Sequence, residues 1–246
     1  MDEHEQGPIS NQVILSHMRR RTGRNANCCV LVIGGTGSGK SYLTLDMAAL
    51  LDPAFSINCC VWNARNFLNL LKLPPLSSLI GDEIGVFMSA REWNSKENKA
   101  LSKAFQTMRF MNHYVFVTVP KISMVDVHAR QLFHYLIICK GKIRGNTNTA
   151  DVYTLSENPK KIGAFFRNPI LYWSKGVLRQ ATHFYSKLPP AEVVNEYEAR
   201  RGDKIKKMIE KDRKELGGEE EQNYYCHKCK ILNDESICKR CGGTLK

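Results

Sequence analysis

Gly34-Gly35-Thr36-Gly37-Ser38-Gly39-Lys40-Ser41 sets glycines, a lysine and a hydroxyl in the order G-x-x-x-x-G-K-S. Glycines let the backbone curl so that successive N–H groups face phosphate oxygens at the positive end of a following helix. Lys40 would reach the β- and γ-phosphates of ATP as a point charge. The Ser41 hydroxyl would hold Mg2+, and Tyr42 continues the cofactor-binding run into the first helical turn. A second reactive pair, Asp82-Glu83, follows a short apolar run. There Asp82 would hold Mg2+ through water, while Glu83 would orient and deprotonate an attacking water. An Asp-Glu pair alone is common on surfaces; its meaning comes from its place at a strand end downstream of the glycine loop. The third constellation is Cys226-x2-Cys229-x8-Cys238-x2-Cys241. These thiolates suit a tetrahedral Zn2+ site, with redox dithiols as the alternative. The separation between the two knuckles is shorter than the usual ~15–20 residues, which implies a compact ribbon.

The elements that must carry these residues are legible in the apolar pattern. Val30 to Ile33 is a continuous apolar run, the mark of a strand buried on both faces, and Leu43, Met47, Leu50 and Leu51 line the helix after the loop. Ile57 to Trp62 reads as a strand, Ala64 to Leu71 as a helix, and Ser77 to Ile80 as the strand delivering Asp82 and Glu83. Ser95 to Phe110 is the best amphipathic helix. Tyr114 to Val119 is a β-branched and aromatic strand expected between the acidic strand and the loop strand. Thr118 near its end is either a γ-phosphate sensor or a hydroxyl capping the strand. Val125 to Phe133 reads as a short helix and Tyr135 to Cys139 as a fifth strand, with a hairpin to follow across Gly145 to Asn148.

The flanks are less regular. Residues 1–12 read as a loose polar lead, Val13 to Met18 as a short turn of helix, and Arg19, Arg20, Arg21 and Arg24 as a basic arm: nucleic-acid contact or solvated linker. Residues 157–186 are aromatic, basic and loop-rich, either gripping a strand of nucleic acid or covering a sheet edge. After Pro189-Pro190, Ala191 to Leu216 forms one charged helix. The expected division is 1–24 as arm, 25–190 as ATPase core, 191–218 as charged helix and linker, and 219–246 as zinc ribbon.

The 246 residues carry 43% hydrophobic and 24% charged side chains, ordinary for a globular protein, but a net charge of +12. That balance favours a polyanionic partner, nucleic acid or an anionic membrane surface. No apolar run approaches the ~18 residues of a membrane span, and the N-terminus is acidic, so a cytoplasmic location is expected. The adjacent pairs Cys28-Cys29 and Cys59-Cys60, with Cys139, read as buried free thiols.

The loop, the Asp82-Glu83 pair and the intervening strand together resemble the additional-strand, catalytic-glutamate division of P-loop NTPases. The stretch from Asp82 through Arg91, Trp93, Lys96, Asn98 and Lys99, then Gln106-Thr107-x-Arg109, Thr118-Val119-Pro120 and Asp126-x-x-Ala129-Arg130, is similar to small ATPases of archaeal mobile elements and viruses. These stand near the FtsK–HerA translocases and zonula-occludens-toxin-like ATPases. The resemblance implies an α/β, RecA-like fold with a central, mainly parallel sheet in the order 5-1-4-3-2. It also implies a ring oligomer, commonly hexameric, that drives double-stranded DNA. An arginine from the neighbouring subunit would complete each site, Arg130 first and Arg109 second; a structural salt bridge is the other role open to each. The chain carries Val119 where the cell-division translocases have a sensor glutamine. Packaging, transfer or replication-linked pumping is the expected setting, with a coat protein, relaxase or membrane component as partner. The competing functions are an ATPase powering protein filament assembly or secretion, and a small-molecule kinase.

Overall fold

The computed structural model describes residues 3–83, 96–107, 111–144, 147–160, 164–215, 224–226, 229, 231–233 and 241. The chain divides into two compact units, Met1–Glu196 and Tyr197–Lys246.

The first unit is built on an 8-stranded mixed sheet in the order β10-β6-β5-β1-β4-β3-β2, with β7 also pairing β6. Strand β1 (Cys28–Ile33) is parallel to β4 (Tyr114–Val119) on one side and to β5 (Tyr135–Arg144) on the other. Beyond β4 run β3 (Ser78–Gly81) and the short β2 (Cys60–Val61), also parallel. Strands β1 and β4 are apolar along nearly their whole length because helices cover both faces. One face holds Leu31, Leu79, Val115 and Val117, packed with Phe67 of α3 (Ala64–Leu70) and Leu101 and Phe105 of α4 (Lys96–Thr107). The rings of Phe67 and Phe105 stack at 5.6 Å. Toward the other face lies α2 (Lys40–Leu51), whose Ala48 carbonyl accepts from the Ser78 hydroxyl at 3.0 Å.

Beyond β5 the sheet turns antiparallel. β6 (Thr147–Glu157) pairs β5 as the second arm of the expected hairpin; Gly145 and Asn146 lie outside the described residues. β10 (His183–Lys187) closes this side. β8 (Ile170–Ser174) and β9 (Val177–Ala181) form a separate hairpin, and β7 (Phe165–Asn168) extends the sheet. The stretch 157–186, read as loop-rich, is therefore largely strand. Ile170, Ala181 and Phe184 are buried, while Phe166, Leu171, Trp173, Val177 and Leu178 are exposed and Tyr172, Arg179 and Tyr185 half-buried.

Other departures have local causes. Residues read as a loose lead belong to α1 (Glu3–Thr22), whose Ile14, Leu15 and Met18 are buried. Asn11 of α1 fixes it to β10, donating to the Tyr185 carbonyl at 2.8 Å and accepting the Tyr185 N–H at 2.9 Å. Backbone groups of an edge strand are thereby answered by a side chain. Residues 57–59 make a single tight turn before β2, and the helix read over 125–133 shortens to α5 (Val127–Arg130), capped by Asp126. Cys28, Cys29, Cys60 and Cys139 are buried, with Cys59 half-buried.

The second unit contains most of α6 (Ala191–Glu215) and a hairpin of β11 (Tyr224–Cys226) and β12 (Ile231–Asn233), with Cys226 opposite Ile231. No described helix is long and apolar enough to cross a membrane.

Candidate functional site

The glycine run leaves the C-terminal end of β1 and enters α2, at the carboxyl ends of the parallel strands where open α/β sheets leave a crevice. Gly39 stands at the N-cap of α2 with φ 78° and offers no side-chain cap to the first-turn N–H groups. Those donors, uncapped at the positive helix end, can serve an anion. A Cβ on Gly39 would collide with the Asn148 amide. Asn148, from β6, donates to the Ser38 and Gly39 carbonyls at 3.1 Å each and so clamps the loop from outside. Gly34 is equally confined: an added Cβ would lie 2.5 Å from the Ser38 hydroxyl and 3.0 Å from the Cys139 carbonyl. Gly35, Thr36 and Gly37 form the exposed rim, and Tyr42 is half-buried on the first turn of α2.

Lys40 is 8% exposed and turns its ammonium onto its own loop, donating to the Gly35 carbonyl at 2.9 Å. The Ser41 hydroxyl donates to Asp82 Oδ1 at 3.0 Å. Asp82, 1% exposed just past β3, also accepts from the Thr118 hydroxyl at 2.7 Å and from Trp62 Nε1 at 3.0 Å. The Thr118 oxygen in turn accepts the Glu83 N–H at 2.8 Å. Glu83 sits in left-handed backbone, φ 56°. Glycine loop, hydroxyl and acidic pair are thus one hydrogen-bonded assembly at the ends of β1, β3 and β4.

Two buried polar atoms here, Ser38 Oγ and Asn148 Oδ1, have no hydrogen-bond partner among the described residues. Buried polar atoms are normally satisfied, so a phosphate-bearing ligand with hydrogen-bond acceptors and bound water fits the cradle. The Ser41 hydroxyl beside the Asp82 carboxylate is an all-oxygen donor set of the kind that suits Mg2+. Behind the loop, burial pushes the Cys139 thiol up to about 12, with Lys40 pulling the other way, so it stays protonated and inert.

The remaining expected residues are either placed as follows or lie outside the described residues. Thr118 is fully buried, and its observed bonds go to the acidic pair. Arg130 is half-buried, its Nε donating to the Val125 carbonyl at 2.9 Å within its own turn. Arg109 and the segment 84–95 lie outside the described residues, as do Cys238 and the side chain of Cys226. Among the described residues no group of three or more His, Cys, Asp and Glu is placed to hold a metal. Trp62 and Asn148 were not expected. Their contacts depend on β2 lying beside β3 and on β6 returning beside β5, and no local motif marks either.

No protein-family model matches the chain, and no curated protein matches it. Solved structures do. The N-terminal domain of zonular occludens toxin from Neisseria meningitidis is 19% identical, with 61% of this chain and 96% of that one covered and a TM-score of 0.39. The genome packaging NTPase B204 of Sulfolobus turreted icosahedral virus 2, in complex with ATP-gammaS, is 11% identical over 52% of this chain and 92% of that one, TM-score 0.36. The FIGL-1 AAA domain is 18% identical over 56% of this chain and 52% of that one, also at 0.36.

Proposed function

We propose that this chain is an ATP-hydrolysing motor that moves DNA. The observation that carries the reading is the Ser41–Asp82 hydrogen bond of 3.0 Å at the mouth of the glycine loop. It joins the expected magnesium-holding hydroxyl to the expected acidic pair, although the two stand far apart in sequence. Loop and first-turn N–H groups would receive the phosphates. Lys40, already lining the loop, would turn its charge to the β- and γ-oxygens. Ser41 would hold Mg2+ directly and Asp82 through water. The ion supplies charge neutralisation at the transferred phosphoryl group. Glu83 would take the proton of the attacking water, with Asp82 and Thr118 holding it in place. Arg130, or Arg109, arriving from a neighbouring subunit of a hexameric ring, would add the last positive charge only when the ring is assembled. The net charge of +12 supports DNA as the polymer moved. In the tail, Cys226 ends β11 and Cys229 stands in the connection to β12, a knuckle-like setting in which these residues, with Cys238 and Cys241, would hold Zn2+.

A second reading, an ATPase driving protein filament assembly or secretion, is favoured by one feature. The β8–β9 hairpin leaves Leu171 and Leu178 50% and Trp173 73% exposed, a surface suited to protein contact. Hydrolysis measured with and without duplex DNA separates the two. The motor reading expects DNA to raise turnover several-fold; identical rates across a DNA titration at physiological salt would contradict it.

A further inference from the structure

At the opposite end of the sheet from the glycine loop, the N-terminal ends of β1 and β5 border a cavity of about 700 Å³. Arg20, Arg21 and Arg24, from the end of α1 and the turn after it, line it together with His17, His134 and Tyr135. Among the described residues no aspartate or glutamate lines it, and no described ion pair engages any of these arginines. Arg21 is half-buried, its Nε donating to the Asn27 carbonyl at 2.8 Å, whereas Arg20 and Arg24 are exposed at the rim. The floor is mixed: Phe105 and Leu132 are apolar, and the Tyr135 hydroxyl lies 2.8 Å from His17 Nδ1. The positive field is felt inside the cavity. Burial first, then Arg20, Arg21 and Arg24, hold His17 below its ordinary pKa.

Basic side chains in the last turn of a helix ordinarily answer the helix's own carbonyls and dipole. That explains a basic helix end, but not a half-open cavity whose cations converge with no carboxylate among the described residues to balance them. Guanidinium groups match phosphate oxygens as planar forks. Placed on a rim above a partly aromatic floor, they fit a chain of spaced phosphates crossing the mouth better than a single enclosed anion.

We propose that this cavity is a contact site for the phosphodiester backbone of a nucleic-acid strand. It is separate from the glycine loop: β1 has 6 residues, which at ~3.3 Å each puts the two about 20 Å apart. The inference rests on the reading of DNA as the polymer moved, and adds where the polymer touches.

The test uses the full chain and a labelled duplex oligonucleotide, with affinity followed between about 50 and 200 mM salt. Arg20→Ala/Arg24→Ala is compared with Lys72→Ala/Lys121→Ala, an equal loss of charge at exposed positions away from the cavity. Each lost phosphate contact removes about 0.9 from the slope of log affinity against log salt. The arginine variant is expected to lose about 2 in slope, while the lysine control keeps the wild-type slope and both hydrolyse ATP without DNA at the wild-type rate. Equal slopes in the two variants, with wild type still binding, overturn the inference and leave the motor reading standing. Wild-type protein that retains no DNA at the lowest salt overturns both. Inorganic phosphate displacing the oligonucleotide far better than chloride at matched ionic strength assigns the cavity to a free anion and overturns the strand contact.

Discussion

The Thr118 hydroxyl donates to Asp82 and accepts from the Glu83 N–H, so one oxygen sets the spacing of both acidic residues. It also answers a strained backbone, since a non-glycine residue in left-handed conformation costs ~1–2 kcal/mol and Glu83 is held there. In the proposed mechanism Thr118 is therefore a positioning residue, acting through the Asp82 carboxylate and the Glu83 backbone. Replacing it with valine keeps the shape but removes both bonds. Turnover of ATP is expected to fall about 10- to 100-fold, as for small misplacements of reacting groups, with KM within about threefold; Thr118→Ser should restore most of the rate. A valine variant as active as wild type would contradict this. Lys40, Ser41 and Asp82 were legible in the sequence because each sits at a motif position whose chemistry demands its residue type. Trp62 and Asn148 were not, because an indole or an amide acquires its task from whichever strand the fold lays beside it.

Among the elements, β1 and the turn before β5 are locked together by His134. Its N–H donates to the Cys29 carbonyl at 2.9 Å, and its Nδ1 accepts the Cys29 N–H at 3.0 Å. Burial, with Arg21 nearby, lowers the His134 pKa from 6.5 to about 3. The folded state therefore binds this proton less readily than the unfolded chain does. Stability contributed here is complete above about pH 6.5 and drains away as the pH falls toward 3, by at most about 1.4 kcal/mol per pH unit. His134→Asn offers an uncharged acceptor in its place. Thermal melts from pH 7 to pH 4 should show the variant gaining steadily on wild type; a constant gap would contradict the assignment. The same scale shows where the sequence misled. Residues 1–12 read as a loose polar lead, yet α1 runs through most of them, because Ile14, Leu15 and Met18 are buried and Asn11 anchors the helix to β10. Packing outweighs local propensity there. The strands after Glu157 were hidden for the converse reason: outward residues such as Phe166, Leu171, Trp173, Val177 and Leu178 are themselves apolar, so the period-2 contrast is weak.

For the molecule as a whole, the charge of +12, the glycine-loop cradle and the cysteine-bearing tail are the features that the proposed motor reading must join. The tail has too few apolar residues to fold on its own side chains. One equivalent of zinc per chain is expected on metal analysis, and Cys238→Ser should release it and raise protease sensitivity after Leu216 without altering ATP binding; metal-free wild-type protein would contradict the four-thiolate reading. The central claim concerns the assembly of Lys40, Ser41, Asp82 and Glu83, and paired measurements of ATP binding and hydrolysis on Glu83→Gln test it most directly. The amide keeps the shape and removes the base, so the variant is expected to bind ATP with Mg2+ within a few-fold of wild type while turnover falls by on the order of 100-fold or more. Hydrolysis at the wild-type rate, or failure of the wild-type chain to bind ATP at all, would contradict it.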